Sequence, residues 1–93
     1  MKELEIFYMT GCPYCRHARI AVEELQEENP AYASLELNWI EESEQPEIAE
    51  SRDYYSVPSL FFEGRKLYEA HFTHSYDTIK QNIRAAFDKV LAG

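Results

Sequence analysis

The sequence predicts an α/β domain in which a mixed four-stranded sheet carries three helices on its two faces. Three observations support this prediction. Two short segments that alternate between polar and apolar residues flank a segment with helical periodicity, and a second pair of strand-like segments is separated by Glu63-Gly64. The chain then closes with a long amphipathic stretch. The predicted order of elements is therefore β-α-β-α-β-β-α.

The composition suits one small folded domain. The chain has 93 residues, and we expect residues 1–93 to form a single domain. Hydrophobic residues make up 45% of the chain, which is enough to fill a core. The net charge of -8 argues against nucleic acids and anionic membranes as partners, because both would be repelled. The simplest interpretation of the acidity is solubility.

The first predicted strand leads directly into a helix. Residues 3–9 alternate and then become apolar, as in a strand that turns inward, and Thr10-Gly11 ends this strand. Pro13 suits the first turn of a helix, where its missing N–H costs nothing. Apolar residues recur at helical spacing up to about Glu28, and Asn29-Pro30 is predicted to stop the helix.

A second strand and a short helix are predicted next. Residues 35–40 alternate again, as in a strand. Ser43 is a candidate cap for a short helix over residues 47–52, with Pro46 in its first turn. Because a helix connects the first two strands, we expect them to pair in parallel through a right-handed connection.

The remainder of the chain is predicted to form a hairpin and a final helix. Residues 57–62 are mostly apolar, as in an internal strand, and Glu63-Gly64 turns the chain into a partner strand over residues 65–70. A loop over residues 71–75 precedes the final helix. The cap candidates are Thr73 and Ser75, and the apolar stripe consists of Ile79, Ile83, Ala86, Phe87, Val90 and Leu91.

Cys12 and Cys15 are the two cysteines of the chain, and they lie at the predicted junction of strand and helix. Backbone N–H groups and the helix dipole at such a junction favour thiolate over thiol. We therefore expect Cys12 to be the exposed nucleophile. Cys15, one helical turn further on, should be more buried and should resolve the mixed disulfide. Arg16, His17 and Arg19 add positive charge that favours the thiolate.

Three other interpretations of the cysteine pair are open. A structural disulfide would close almost no loop and would stabilise little. A metal site would need further ligands, such as His71 and His74, at a spacing that resembles no common zinc module, so we expect no metal. Two inert core cysteines fit poorly with a Gly-Cys-Pro sequence at a strand–helix junction. His17 is predicted to lie on the exposed face of its helix, and His71 and His74 in a loop.

The motif Cys12-Pro13-Tyr14-Cys15 resembles the active site of dithiol glutaredoxins, a branch of the thioredoxin superfamily. Residues 46–50, the segment Ser56-Val57-Pro58-Ser59-Leu60 and Glu63-Gly64 are similar to the corresponding parts of many thioredoxins and glutaredoxins. The resemblance extends over nearly the whole chain, from residue 5 to about residue 91. It implies a thioredoxin fold and a redox activity.

The resemblance also implies further site residues. The Val57–Pro58 peptide bond should be cis and should face the two cysteines. The backbone of Val57 could then pair with an extended peptide or with glutathione. Pro13 and Tyr14 should stiffen the active-site turn and bind substrate together with Val57 and Pro58. Without the resemblance, a trans proline at the start of a strand would be expected.

The chain departs from both branches of the superfamily. Met9 stands three residues before Cys12, where glutaredoxins usually carry a lysine that binds a glutathione carboxylate. The Gly-Gly that holds the glutamyl end of glutathione is missing after the hairpin, and Glu69 in that region would repel a carboxylate. On the thioredoxin side, Gly11 replaces the usual tryptophan before the first cysteine. Ile6 stands where thioredoxins have a buried carboxylate that assists proton transfer.

Together these features predict a thiol–disulfide oxidoreductase that reduces protein or small-molecule disulfides through a Cys12/Cys15 dithiol–disulfide cycle. Two alternatives stay open. One is a glutathione-dependent glutaredoxin that acts on glutathione mixed disulfides, and the other is a non-catalytic binding module on the same scaffold.

The predicted function also implies expectations about cofactors, partners, location and oligomeric state. We expect no tightly bound cofactor, with glutathione or a reductase as the electron donor and disulfide-bearing proteins as partners. The chain has neither a signal-like segment nor an apolar stretch of about 18 residues, so we expect it in the cytoplasm, away from membranes. We expect a monomer.

Overall fold

The fold is seen in a computed structural model that describes residues 3–93. Met1 and Lys2, which belong to the predicted domain, lie outside the described residues. The strands are β1 (Glu3–Tyr8), β2 (Glu36–Glu41), β3 (Ser59–Phe62) and β4 (Arg65–Glu69). The helices are α1 (Pro13–Glu28) and α2 (Pro30–Ala33) between β1 and β2, α3 (Pro46–Glu50) between β2 and β3, and α4 (Tyr76–Ala92) after β4.

The four strands form one mixed sheet in the order β2-β1-β3-β4. β1 pairs in parallel with β2 and antiparallel with β3, and β3 forms an antiparallel hairpin with β4. The predicted mixed four-stranded sheet and the parallel first pair are therefore confirmed. Glu63 and Gly64 in the hairpin turn both have positive φ, at 52° and 81°. β3 begins at Ser59, two residues later than predicted.

The two faces of the sheet carry cores of different size. Alternation along β1 places Leu4 and Ile6 in a large core with residues of α1 and α4. Phe7 points to the other face, where it forms a small core with Ile40 and Phe61, covered in part by Ala49 of α3. The sheet is thus a central layer with helices on both faces.

One helix is not among the three that the sequence predicts. Asn29 and Pro30 do end α1, but they also start α2. The side chain of Asn29 accepts a hydrogen bond from the backbone N–H of Ala31 (3.0 Å), and Pro30 takes the first position of the new helix. The same two residues that stop one helix therefore cap and begin the next. Tyr32 of this short helix is buried in the large core.

The predicted caps have different outcomes. Ser75 caps α4 because its side chain accepts a hydrogen bond from the N–H of Thr78 (3.1 Å). The prediction that Ser43 caps α3 was wrong. Ser43 instead donates its N–H and its hydroxyl to the Glu41 carboxylate, each at 2.7 Å, and α3 starts at Pro46 after Gln45.

The apolar stripe of α4 is confirmed with one exception. Its buried members are Ile79, Ile83, Ala86, Phe87 and Val90, whereas Leu91 is 44% exposed. Val90 takes the inward position of the last turn, so Leu91 is rotated about 100° away from the core. Within residues 3–93, no helix combines the length and the apolar character that crossing a bilayer requires.

We expect Phe87→Ala to lower the free energy of unfolding by about 3–5 kcal/mol, because it leaves a cavity in the large core. The Phe87 ring is fully buried, and its centroid lies 5.4 Å from that of Tyr32. Leu91→Ala, on the same helix, is the matched control and should change stability by about 0.5 kcal/mol or less. Urea denaturation followed by circular dichroism measures both. Equal losses in the two variants would contradict the burial pattern.

Candidate active site

Cys12 occupies the N-cap position of α1. Its backbone is extended (φ -83°, ψ 122°), and its C=O accepts the N–H of Arg16 at 3.0 Å. Its own N–H donates to the C=O of Met9 at 3.3 Å. Gly11 turns the chain into the helix with a φ of 88°, a conformation that glycine adopts without steric cost. Among the described residues, no side chain caps this N-terminus by a hydrogen bond, so the first N–H groups of the helix have no side-chain cap.

Cys15 lies one turn further along α1 and is 5% exposed, whereas Cys12 is half-buried. This is the order of exposure predicted from the sequence. Both cysteines are free, and their side chains lie within hydrogen-bonding range of each other. Burial raises the pKa of the Cys15 thiol from 9.0 to about 12, and the hydrogen bond and charge of Cys12 act in the same direction. At neutral pH Cys15 is therefore a protonated thiol.

The Val57–Pro58 peptide bond is cis, as the resemblance implied. Pro58 is buried and Val57 is half-buried. The Sγ of Cys12 lies 4.0 Å from the backbone oxygen of Val57, in a geometry suited to thiol donation. The C=O of Pro58 accepts the N–H of Ala70 at 3.0 Å, which fixes this segment to the end of the hairpin. The structure therefore brings Cys12 and the backbone of Val57 together.

The two residues between the cysteines have different surroundings. Pro13 is exposed at the first position of α1. Tyr14 is half-buried, and its hydroxyl donates a hydrogen bond to the backbone C=O of Phe72 in the loop before α4. This bond joins the active-site helix to that loop and so closes one side of the site.

Two open grooves border the site. The first, which we name the Val57 groove, has a volume of about 270 Å³. It is lined by Met9, Tyr14, Glu42, Tyr55, Ser56, Val57, Ala70, His71 and Phe72. The second, which we name the arginine groove, has a volume of about 200 Å³. It is lined by Tyr8, Met9, Thr10, Gly11, Cys12, Cys15, Arg16 and Arg19.

The grooves differ in charge and polarity. The Val57 groove has Glu42 in its wall, and two strongly exposed aromatic residues lie along it, Tyr55 at 92% and Phe72 at 82% exposure. The arginine groove has two guanidinium groups and, within residues 3–93, no carboxylate in its wall. Met9 borders both grooves, so a substrate that reaches Cys12 has an acidic, aromatic surface on one side and a basic one on the other.

Glu41 holds the loop that leads to Cys12, a role that sequence patterning did not reveal. Its side chain is 7% exposed and accepts the N–H of Thr10 at 3.1 Å, besides the two bonds from Ser43. The hydrogen bonds from Ser43 and Thr10 lower the pKa of Glu41 to about 2. One signal could have found this residue: parallel strands end at the same edge of a sheet, so the end of β2 must lie beside the loop after β1.

Glu42, the next residue, faces the Val57 groove. Its Oε1 accepts the hydroxyl of Tyr54 at 2.7 Å, and its N–H donates to the C=O of Tyr8 at 3.0 Å. The negative charge of Glu42 contributes to the raised pKa of Cys15. Glu42 follows the last residue of β2, whereas β1 has the apolar Ile6 at the position considered for a buried carboxylate.

Glu69 supports the loop before Val57. Its carboxylate accepts the N–H groups of Tyr55 and Ser56, both at 2.7 Å, and forms an ion pair with Lys66 at 2.7 Å. Burial alone would raise the pKa of Glu69, but the hydrogen bonds from Lys66 and the two N–H groups outweigh burial and lower it. The Glu69 carboxylate is therefore bound by groups of the protein itself.

The histidines lie apart from the cysteines in role and place. The prediction that His17 is exposed was wrong, because it is half-buried and its ring packs edge-on against Tyr76 at 5.6 Å. His74 shares a hydrogen bond with the hydroxyl of Tyr68 (2.8 Å), and His71 lines the Val57 groove. Across the described chain, no three His, Cys, Asp or Glu side chains are grouped in a way that could hold a metal ion.

Residues 6–71 match the family of glutathione S-transferase N-terminal domains. Among solved structures, the chain is similar to the germline-specific thioredoxin Deadhead from Drosophila melanogaster, with 18% identity and a TM-score of 0.66, over 96% of this chain and 80% of that one. A mutant thioredoxin from Halobacterium salinarum has 24% identity and a TM-score of 0.58, over 90% and 73% of the two chains. Thioredoxin 1 from Thermosipho africanus has 12% identity and a TM-score of 0.60, over 95% and 97%.

These likenesses confirm the thioredoxin-type fold that the resemblance implied. No curated protein sequence matches the chain at a significant level.

Glu41→Gln should destabilise the protein at neutral pH, because a neutral amide accepts the bonds from Thr10 and Ser43 less well. The folded pKa of about 2 lies below the ordinary 4.5, so the stabilisation by Glu41 is complete above pH 4.5 and falls as the pH drops toward 2. The stability difference between wild type and variant should shrink over that range. Urea denaturation at several pH values measures it, and a difference independent of pH would contradict this account.

Proposed function

We propose that this chain, which belongs to the family of glutathione S-transferase N-terminal domains, is a thiol–disulfide oxidoreductase of protein or small-molecule disulfides. The thioredoxin-like fold and the nearby cysteine pair support a redox role. The observation that carries the proposal is the arrangement of Cys12, Cys15 and Val57. A half-buried thiol at a helix start contacts a buried second thiol and a backbone acceptor.

In the first step, the Cys12 thiolate attacks one sulfur of a substrate disulfide. A Cys12–substrate S–S bond forms, the substrate S–S bond breaks, and the other substrate sulfur leaves as a thiolate that takes a proton from water. Cys12 stands at the N-terminus of α1, the end of a helix that interacts favourably with negative charge. The backbone of Val57 offers an extended substrate its hydrogen-bonding groups, beside Pro58, Pro13 and Tyr14.

In the second step, Cys15 resolves the mixed disulfide. Its thiol loses a proton and attacks the Cys12 sulfur, which forms the Cys12–Cys15 bond and releases the second substrate sulfur as a thiolate. Two electrons have then passed from the dithiol to the substrate. A mixed disulfide at Cys12 carries no charge, so one cause of the raised pKa of Cys15 disappears when the thiol has to react. Glu42 is a carboxylate whose charge reaches this thiol.

An external thiol must return the protein to its dithiol form. We propose glutathione or a reductase for this role, in the reducing cytoplasm, with the chain acting as a monomer and without a tightly bound cofactor. A non-catalytic binding module would not require a buried thiol in contact with a half-buried one.

A glutathione-dependent glutaredoxin is the second candidate, and the family match favours it because that family is named for glutathione. Two features weigh against it. Met9 occupies the place of the usual lysine and borders the Val57 groove. The wall of that groove contains Glu42 and, among the described residues, no lysine or arginine to hold a glutathione carboxylate.

Substitution of each cysteine separates the two roles. Cys12→Ser should abolish the reduction of insulin, because the attacking sulfur is lost. Cys15→Ser should also abolish it, but should trap a mixed disulfide at Cys12. With dithiobis(nitrobenzoate) in single turnover, wild type should release both nitrothiobenzoate groups, Cys15→Ser one, and Cys12→Ser neither. Full insulin reduction by Cys15→Ser would show that Cys15 is not the resolving thiol.

The glutathione candidate is tested with two mixed disulfides of one peptide. One carries glutathione, and the other carries the isomer in which glutamate is linked through its α-carboxyl group, so that charge and composition are equal. A built glutathione site would prefer the γ-linked form by more than about tenfold, which corresponds to one lost carboxylate contact. We expect similar rates for both. A strong preference for the γ-linked form would establish the second candidate instead.

A further inference from the structure

Arg16 and Arg19 are exposed cations without an acidic partner in the described chain. Four other cations of this acidic protein are paired: Arg52 with Glu5, Lys66 with Glu69, Lys80 with Glu24 and Glu28, and Arg84 with Glu28. Arg16 and Arg19 lie in the same groove as both cysteines. Their guanidinium donors are therefore available at the place where a substrate sulfur must arrive.

Arg19 is held in position by aromatic rings. Its guanidinium carbon lies 4.1 Å from the ring centroid of Trp39 and 5.5 Å from that of Tyr8. Cation–π contacts of this kind need no hydrogen bond from the guanidinium N–H groups, which can therefore still donate to an anion. Trp39 and Tyr8 are themselves in edge-to-face contact at 6.0 Å, so the platform beneath Arg19 is built from two adjacent strands. A cation fixed in this way loses little conformational freedom when it binds.

The acidic residues nearest this groove are turned to other partners. Glu41 is buried, and its carboxylate accepts three hydrogen bonds, one from Thr10 and two from Ser43. Glu42 lines the Val57 groove and accepts from Tyr54. The arginine groove is thus locally basic although the chain has a net charge of -8.

We propose that the arginine groove is a carboxylate-binding subsite for small disulfides whose sulfur bears a carboxylate two or three carbons away. This inference rests on the proposed function and names the class of substrate that it favours. Arg19 anchors the carboxylate, and Arg16, four residues after Cys12, supplies a second cation in the same groove. The volume of about 200 Å³ suits a small acid.

Reduction of such a disulfide follows the same two thiol–disulfide exchange steps as the proposed function. The Cys12 sulfur forms a bond to the carboxylate-bearing half of the disulfide, and the other half leaves as a thiolate. Cys15 then releases the first half, and a dithiol such as dithiothreitol reduces the Cys12–Cys15 bond and is itself oxidised.

A charge series of small disulfides tests the subsite. In all three compounds two methylene groups separate the sulfur from the end group. The end group is negative in dithiodipropionate, neutral in hydroxyethyl disulfide and positive in cystamine. For each disulfide, the rate of its reduction by the reduced protein is divided by the rate of its reduction by mercaptoethanol. This division corrects for the intrinsic reactivity of the disulfide. We expect a preference for the acid over the amine. Arg16→Gln together with Arg19→Gln should lower the acid-to-neutral ratio about two- to fivefold, the range of an exposed ion pair.

The control is Arg65→Gln, which removes one positive charge from β4, outside both grooves, and so matches the single variant Arg16→Gln in charge. It should leave the acid-to-neutral ratio unchanged. Arg16→Gln alone, on the exposed face of α1, keeps the aromatic contacts of Arg19 and guards against a folding defect. Equal ratios in the Arg65 variant and the double arginine variant would overturn the subsite.

A second measurement does not depend on disulfide reduction. Alkylation of Cys12 by iodoacetate and by iodoacetamide, followed by mass spectrometry, compares an anion with a neutral analogue of similar shape. The subsite predicts that the ratio of the iodoacetate rate to the iodoacetamide rate is higher for the protein than for mercaptoethanol. This ratio should fall in Arg16→Gln and should stay the same in Arg65→Gln. If the ratio falls in Arg16→Gln but the protein reduces no disulfide, the proposed function fails and the subsite stands. If the ratio is insensitive to Arg16, the subsite fails whatever the activity.

Discussion

The site depends on the parallel pairing of β1 with β2. Parallel neighbours end at the same edge of a sheet, so the loop that leads from β1 to Cys12 meets the residues that follow β2. Glu41 can therefore hold the N–H of Thr10, and Glu42 can act on the thiol of Cys15. In an antiparallel pair these carboxylates would lie at the opposite end of the sheet. The position of Cys12 is thus a consequence of strand topology as much as of its own helix.

Local signals in the sequence were sufficient for the sheet, for the two long helices and for the place of both cysteines. Alternation, proline positions and the spacing of Cys12 and Cys15 each report on the residues nearby. The misses have a common cause, which is competition between partners. Asn29 can stop one helix or cap another, and Ser43 can cap α3 or bind Glu41. Periodicity identifies an apolar face but not the group that will occupy it, which is why His17 was misplaced.

Net charge is a poor guide to the field at the nucleophile. The value of -8 sums acids spread over the whole surface, and several of them are paired with lysine or arginine. Salt screens charges beyond about 8–10 Å at physiological ionic strength. Arg16 and Arg19 therefore make the groove that contains Cys12 locally basic in a chain of net negative charge. The acidic surface and the basic groove can serve different purposes, solubility for one and substrate choice for the other.

Trp39 is the single tryptophan of the chain, and its indole lies against the guanidinium of Arg19. The tryptophan emission of this protein therefore originates beside Arg19, one of the residues that line the arginine groove. Occupation of the groove or a shift of the guanidinium would alter the surroundings of one fluorophore without any attached dye. The protein consequently contains its own optical reporter at the place where its chemistry is proposed to occur.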